Sequence, residues 1–258
     1  MGTSTPQRRV GWRLAIATWT AIVGTFAVNT LSNVFPPGGL NVGEISNTVL
    51  GGVLITPASY AFAIWGLIYL ALIAYGFYQS KPAQRRSPTI REANRWLIVA
   101  CLVQMVWIFL FTLQLFWLSV VAMLGILIPL ILAYEQVWQR PKVDSSYRRY
   151  ARTPLSLYLA WISVATIINV ASALYASGWG GWGLSQIGWT MTMILVSALV
   201  GGVVVWTRRD LAFTGVFLWA YAAIAIRHAD MPAIWITTLV AGLGVVGTLV
   251  ASYRLKRA

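Results

Sequence analysis

Six acidic side chains, one histidine and one cysteine are all that the 258-residue chain offers for acid–base, nucleophilic or metal chemistry. An ionisable residue inside a bilayer is costly and marks function, so their positions decide which reactions are open. Glu92 and Asp144 stand in basic stretches, Asp210 follows Arg209 in a loop, and Glu44 and Asp230 lie in polar segments. Glu135 sits close to the end of an apolar run, from which its carboxylate can reach the interface. His228 stands next to Arg227 with no second histidine to share a metal, and reads as a solvated loop residue. As a single axial haem ligand it has no motif around it. Cys101 lies in an apolar run and has no partner for a disulfide. Lys81, Lys142 and Lys256 all fall outside the apolar runs, which excludes a retinal Schiff base, and neither a Gly-rich phosphate loop nor a Ser-His-Asp set is present. The sequence therefore assigns no catalytic residue and no metal site, requires no cofactor, and points away from an enzyme.

Rings and amides remain, and they are concentrated. In the stretch from Thr56 to Leu70, Pro57 suits the first turn of a helix, because its missing N–H would be unpaired there, and the helix is expected to run unbroken to about Tyr78. Phe62, Trp65 and Tyr69 are three and four apart, which places them along one helical face. A face of large rings inside a membrane segment is either packing or the wall of a binding site.

The elements that must position these residues follow from composition. Hydrophobic residues make up 59% of the chain and charged ones 10%, against about 25% charged in a soluble domain. The chain reads as an integral membrane protein, an all-α polytopic bundle forming a single domain. Runs long enough for ~30 Å of hydrocarbon fall at 12–34, 58–78, 95–113, 116–138, 154–176, 186–206, 211–226 and 233–253. The seventh is short. The first, preceded by Arg8 and Arg9, is too long for a secretory signal and reads as a membrane helix. A net charge of +13 does not imply nucleic acid as a partner, because the basic residues sit in short clusters between apolar runs, as orientation signals beside anionic lipid do. They occupy the N-terminus, every second loop and the C-terminus, and of the 19 only Arg227 falls on the other side. Eight spans with both termini cytoplasmic satisfy that alternation.

The first outward loop, 35–57, is long, rich in Gly and Pro, and carries only Glu44 as a charge; it is expected to act as a lid over a site. The Gly- and Trp-rich loop 177–183 reads as an aromatic belt at headgroup depth. Ser197 with Gly201, and Gly247 with Ala251, are small residues four apart that favour close helix packing.

With this topology the outer halves of the first five spans hold Asn29 and Asn33, then Tyr60, Phe62 and Trp65, then Trp107 and Phe111, then Trp117, and finally Trp161 to Asn169. Asn29 and Asn33 share a face, and an amide in lipid needs a partner. Interhelical hydrogen bonding with ring packing is one reading. The other is an outer-leaflet cavity, walled by rings and covered by the 35–57 loop, for a flat apolar ligand with polar edges.

At these residues the chain resembles the tryptophan-rich sensory protein/translocator protein family, formerly the peripheral benzodiazepine receptor. Pro57, Phe62, Trp65 and Tyr69 are similar to that family's proline-led second helix. Tyr158-x-x-Trp161-x-x-x-Ala165-Thr166-x-x-Asn169 matches its fifth-helix pattern, and Gln104-x-x-Trp107-x-x-x-Phe111 resembles its Asn-x-x-Trp segment, with Gln in place of Asn. The resemblance covers roughly 12–176, a TspO-like five-helix unit, and leaves 177–258 as a three-helix extension. It implies a membrane-embedded binding or sensory protein for tetrapyrroles (porphyrin or haem type) or similar flat hydrophobic ligands. Tyr158 and Ala165 join Tyr69 in the candidate wall on this ground. A small-molecule transporter and a pigment-binding or assembly subunit are the alternatives. The expected partners are membrane lipid and the hydrophobic ligand, with a homodimer left open.

Overall fold

The computed structural model describes residues 6–140 and 143–255, with side chains from residue 11 onward. Lys142, Lys256 and Arg257, and the side chains of Arg8 and Arg9, all used in the charge alternation, lie outside the described residues. Among those described, every regular element is helical. The main helices are α1 Pro6–Val34, α2 Ile64–Gln79, α3 Pro88–Thr112, α4 Phe116–Trp138, α5 Thr153–Ala176, α6 Gln186–Arg208, α7 Leu211–Arg227 and α8 Pro232–Leu255. Seven helical stretches are long and apolar enough to cross a membrane, so this is an integral multi-pass membrane protein. The eighth, α7, has 17 residues and spans about 25 Å at 1.5 Å per residue, short of the hydrocarbon thickness.

Local chemistry sets the helix boundaries. Helix α3 starts well before residue 95 because Ser87 caps it, accepting from Ile90 N at 3.5 Å, with Pro88 in the first turn. Its polar first turns carry the exposed ion pair Arg95–Glu92 at 2.7 Å. Asp144 accepts from Tyr147 N at 2.6 Å and starts a short helical turn, Ser145–Tyr147, that leads through the wider turn Arg148–Arg152 into α5. Between α6 and α7 the backbone turns at Arg209 in the left-handed region (φ 53°). Asp210 is buried there rather than a loose loop carboxylate: its Oδ1 accepts from Ala212 N and Phe213 N and caps α7.

The second span departs from expectation at its start. Pro57 does not open an α-helix; a 3-10 turn, Ser59–Ala63, precedes α2. The three-four spacing therefore describes one α-helical face from Trp65 to Tyr69 only, and Phe62 stands before it.

The chain divides into two compact units, residues up to Asn41 with Ile64–Leu159, and Val42–Ala63 with Ala160 onward. This division does not coincide with position 176/177. In the first unit α3 packs along α4, and α1 lies against α3 and α2. Its interior holds a closed polar chain: Tyr75 Oη donates to Asn94 Oδ1 at 2.6 Å, Asn94 Nδ2 to Gln79 Oε1 at 3.0 Å, and Gln79 Nε2 to Ala15 O at 3.2 Å. Thr25 Oγ1 adds a link between α1 and α3, donating to Cys101 O at 3.1 Å.

In the second unit α8 packs on α6 and α7. The small pair Ser197 and Gly201 is a helix contact. The Ser197 hydroxyl lies 2.8 Å from Tyr221 Oη, and a Cβ on Gly201 would come within 2.9 Å of the Phe217 ring. Gly247, by contrast, is exposed with nothing within 4 Å of where a Cβ would stand. It is not a close-packing position within its unit.

Candidate ligand-binding site

The aromatic residues singled out in the sequence gather into small groups. In the first unit Trp65 stacks on Tyr69 (centroids 5.5 Å, planes 24° apart) and meets Tyr158 edge-on at 6.0 Å, while Phe26 closes on Tyr69 at 5.1 Å. Tyr69 and Tyr158 are buried, and Trp65 is only half-buried. Trp107 and Phe111 stack on each other at 5.2 Å and are both buried, with Phe116 at the edge of Phe111. Asn33 is exposed and donates to Asn29 O at 2.8 Å, so these two amides are joined along one helix.

The polar ends of these side chains differ from the closed chain around Asn94. Tyr69 Oη, Tyr158 Oη and both amide atoms of Gln104 are buried with no hydrogen-bond partner among the described residues. The two phenols and the Cys101 thiol are near enough to act on one another electrostatically. Gln104 lies three residues beyond Cys101, on the same face of α3, and both are fully buried. A ring platform with one half-open indole thus carries two hydroxyls that can donate and accept, and α3 adds an unpaired amide. An unpaired buried polar group costs about 1–3 kcal/mol, so the set calls for a partner.

In the second unit Phe62 meets Trp161 edge-on at 6.1 Å, and Tyr60, exposed on the surface, packs its ring on Trp219 at 5.4 Å. Trp161 and Asn169 are buried and Ala165 is half-buried. The segment 42–63 is fastened to α7. Ala58 N donates to Ala223 O at 3.1 Å, Trp219 Nε1 to Ala61 O at 3.1 Å, and Arg227 to Asn47 Oδ1 at 2.8 Å and Pro57 O at 3.2 Å.

His228 also holds this segment, and here the expectation of a solvated histidine is corrected. The side chain is buried and hydrogen-bonds the Leu54 backbone, while Nε2 has no partner among the described residues. Burial, with the neighbouring Arg227 charge, pushes its pKa below the ordinary value against the opposing pull of the Leu54 bond and Asp230.

Sequence reasoning named Gln104 only as a replacement in a motif and passed over its burden. The signal was present: a mid-span amide carries the same need for partners as Asn29 and Asn33. Tyr75, Gln79 and Asn94 were missed as well, although Tyr75 and Gln79 are four apart on one face of α2.

A family model described as a TSPO-like protein matches residues 15–251, and so takes in α6 to α8 as well as the first five helices. No curated protein and no solved structure matches the chain.

Proposed function

The chain belongs to the TSPO-like protein family, and on that premise we propose that it is a membrane-embedded binding protein for tetrapyrroles or similarly flat hydrophobic ligands. The observation that carries this reading is the unpartnered pair Tyr69 Oη and Tyr158 Oη, whose rings meet the half-buried Trp65, with the unpartnered Gln104 amide on the α3 face that carries Cys101. A tetrapyrrole supplies a flat face for the indole and ring nitrogens or edge oxygens for the phenols and amide. Each hydrogen bond so made offsets a cost already present in the empty protein. Stacking on an indole adds about 0.5–1.5 kcal/mol beyond burial.

The test is titration of protoporphyrin into the full chain in lipid nanodiscs, followed by tryptophan quenching. Trp65→Phe and Tyr158→Phe are each expected to weaken binding by several-fold to about tenfold, the equivalent of roughly 1.4 kcal/mol. Trp182→Phe, on the exposed turn, serves as the control. Equal affinity in all four proteins, with folding intact, would reduce the rings to packing.

We further place both termini on the cytoplasmic side, with α7 crossing despite its length. The support is the charge alternation, in which Arg208 and Arg209 precede α7 and Arg254 stands in the last turn of α8. Reporter fusions after Ala229 and after Ala258 are expected to read external and internal respectively. The same reading at both sites would sink the eight-span topology.

A further inference from the structure

The second unit contains a cavity of about 360 Å³ that shares no residue with the Trp65 wall. One side is Trp179 and Trp189, with ring centroids 4.9 Å apart and planes at 58°. Trp179 belongs to the loop that read as an aromatic belt at headgroup depth in the sequence, and Trp189 to the apolar run that became α6. They are held in a built turn: Trp189 Nε1 donates to Gly181 O at 2.6 Å, and Ser185 Oγ caps α6 by accepting from Gly188 N at 3.1 Å. The opposite side is the last turns of α5, with Ala171, Leu174 and Tyr175.

The third side comes from Gly52, Val53 and Leu54, within the segment that α7 fastens through Ala223, Trp219 and Arg227. Glycine at position 52 lets the Tyr175 ring close against this segment, since a Cβ there would lie 2.5 Å from Tyr175 Oη. The first turns of α6 contribute Gln186, Thr190 and Met193.

The chemistry of the lining defines the occupant. None of the residues that line the cavity is Asp, Glu, Lys, Arg or His, so an ion placed there would lose its hydration with no counter-charge to replace it. Side-chain polar groups in the lining are the Gln186 amide, the hydroxyls of Thr190 and Tyr175, and the indole N–H of Trp179 and Trp189, the last of them engaged by Gly181 O. Thr190 Oγ1 donates to Gln186 O at 2.8 Å and keeps its acceptor side. The volume is at the small end of the range for small-molecule sites, and two tryptophans favour a flat partner.

We propose that this cavity is a second ligand site, taking an uncharged planar compound of two or three rings with one hydrogen-bonding edge. It is built from α6 as well as α5, so its occupancy does not depend on the Trp65 wall or on tetrapyrrole binding there.

Photolabelling of the full chain in lipid nanodiscs tests this, with benzophenone as the neutral probe and 4-benzoylbenzoate as its charged counterpart. Peptides covering 170–193 are expected to be labelled saturably by benzophenone, and roughly tenfold less by the carboxylate. Leu174→Trp and Met193→Trp fill the cavity from two different helices, and each is expected to reduce that labelling about fivefold or more. Trp65→Phe is expected to leave it unchanged, which separates this site from the tetrapyrrole reading. Equal labelling by the two probes overturns the proposal without any substitution having to fold. So does non-saturable labelling, or labelling that persists in a folded filling variant.

Discussion

Tyr75, Asn94 and Gln79 close their hydrogen bonds on one another and on Ala15, whereas Tyr69, Tyr158 and Gln104, equally shielded in the same unit, have no partner among the described residues. Both groups put hydroxyls and amides into apolar helices, and each unsatisfied atom there costs free energy. In the first group that cost is met within the protein, so the bonds align α1, α2 and α3. In the second it is left standing beside a half-open indole. A polar chain closed on itself specifies packing; a polar set left open beside a ring wall is what a ligand with polar edges requires.

Substitution separates the two groups by sign. Asn94→Leu removes the central member of the closed chain and leaves both Tyr75 Oη and Gln79 Oε1 buried without their bond. The expected loss is about 2–4 kcal/mol in denaturant unfolding, since each orphaned group costs about 1–3 kcal/mol. Tyr158→Phe removes an atom that has no partner, so the empty protein is expected to keep its stability or gain up to about 1 kcal/mol. The same variant is expected to weaken protoporphyrin binding. A Tyr158→Phe protein destabilised as much as Asn94→Leu would show that the phenol is bonded within the fold and would erase the comparison.

His228 is a smaller, titratable case of an open polar group, outside the membrane helices. Its folded-state pKa is depressed by burial, so the neutral ring is the form that the folded protein prefers. The resulting stability is present above the ordinary histidine value, about 6.5, and is lost as pH falls from there through the lower folded value. The protection of residues 48–56 from hydrogen exchange, taken relative to the intrinsic amide rate at each pH, is therefore expected to fall between neutral pH and pH about 5, and His228→Asn to flatten that dependence. Asp230 opposes the shift and Arg227 reinforces it, so the effect is the smallest of the three.

Much of the helical order could be read from the chain because it depends on local quantities. Apolar runs of membrane length gave α4, α5, α6 and α8 to within about two residues at each end, the usual uncertainty of helix ends. Where a polar cap or turn set the boundary, as at Ser87 and in the 3-10 turn Ser59–Ala63, run length misplaced it. The ring positions were legible too, because three- and four-residue spacings reveal a shared face on any continuous helix. Tyr69 entered the candidate wall through its spacing and Tyr158 through the family pattern, and the structure puts both rings against Trp65.

What tertiary structure alone decided is which polar atoms found partners. Local sequence does not say which of the two amides on α3 finds a partner: Asn94 stands beside Arg95 in the polar first turns and Gln104 among apolar residues mid-span. Asn94 meets Tyr75 and Gln79 from α2, and Gln104 has no hydrogen-bond partner among the described residues. Trp189 and His228 make the same point from the second unit. Trp189 passed unremarked within an apolar run and His228 was read as a solvated loop residue, yet the segment with Leu54, far away in the chain, lines the cavity beside the first and hydrogen-bonds the second. Run length and periodicity are properties of neighbours in sequence, while burial and hydrogen-bond closure depend on neighbours in space.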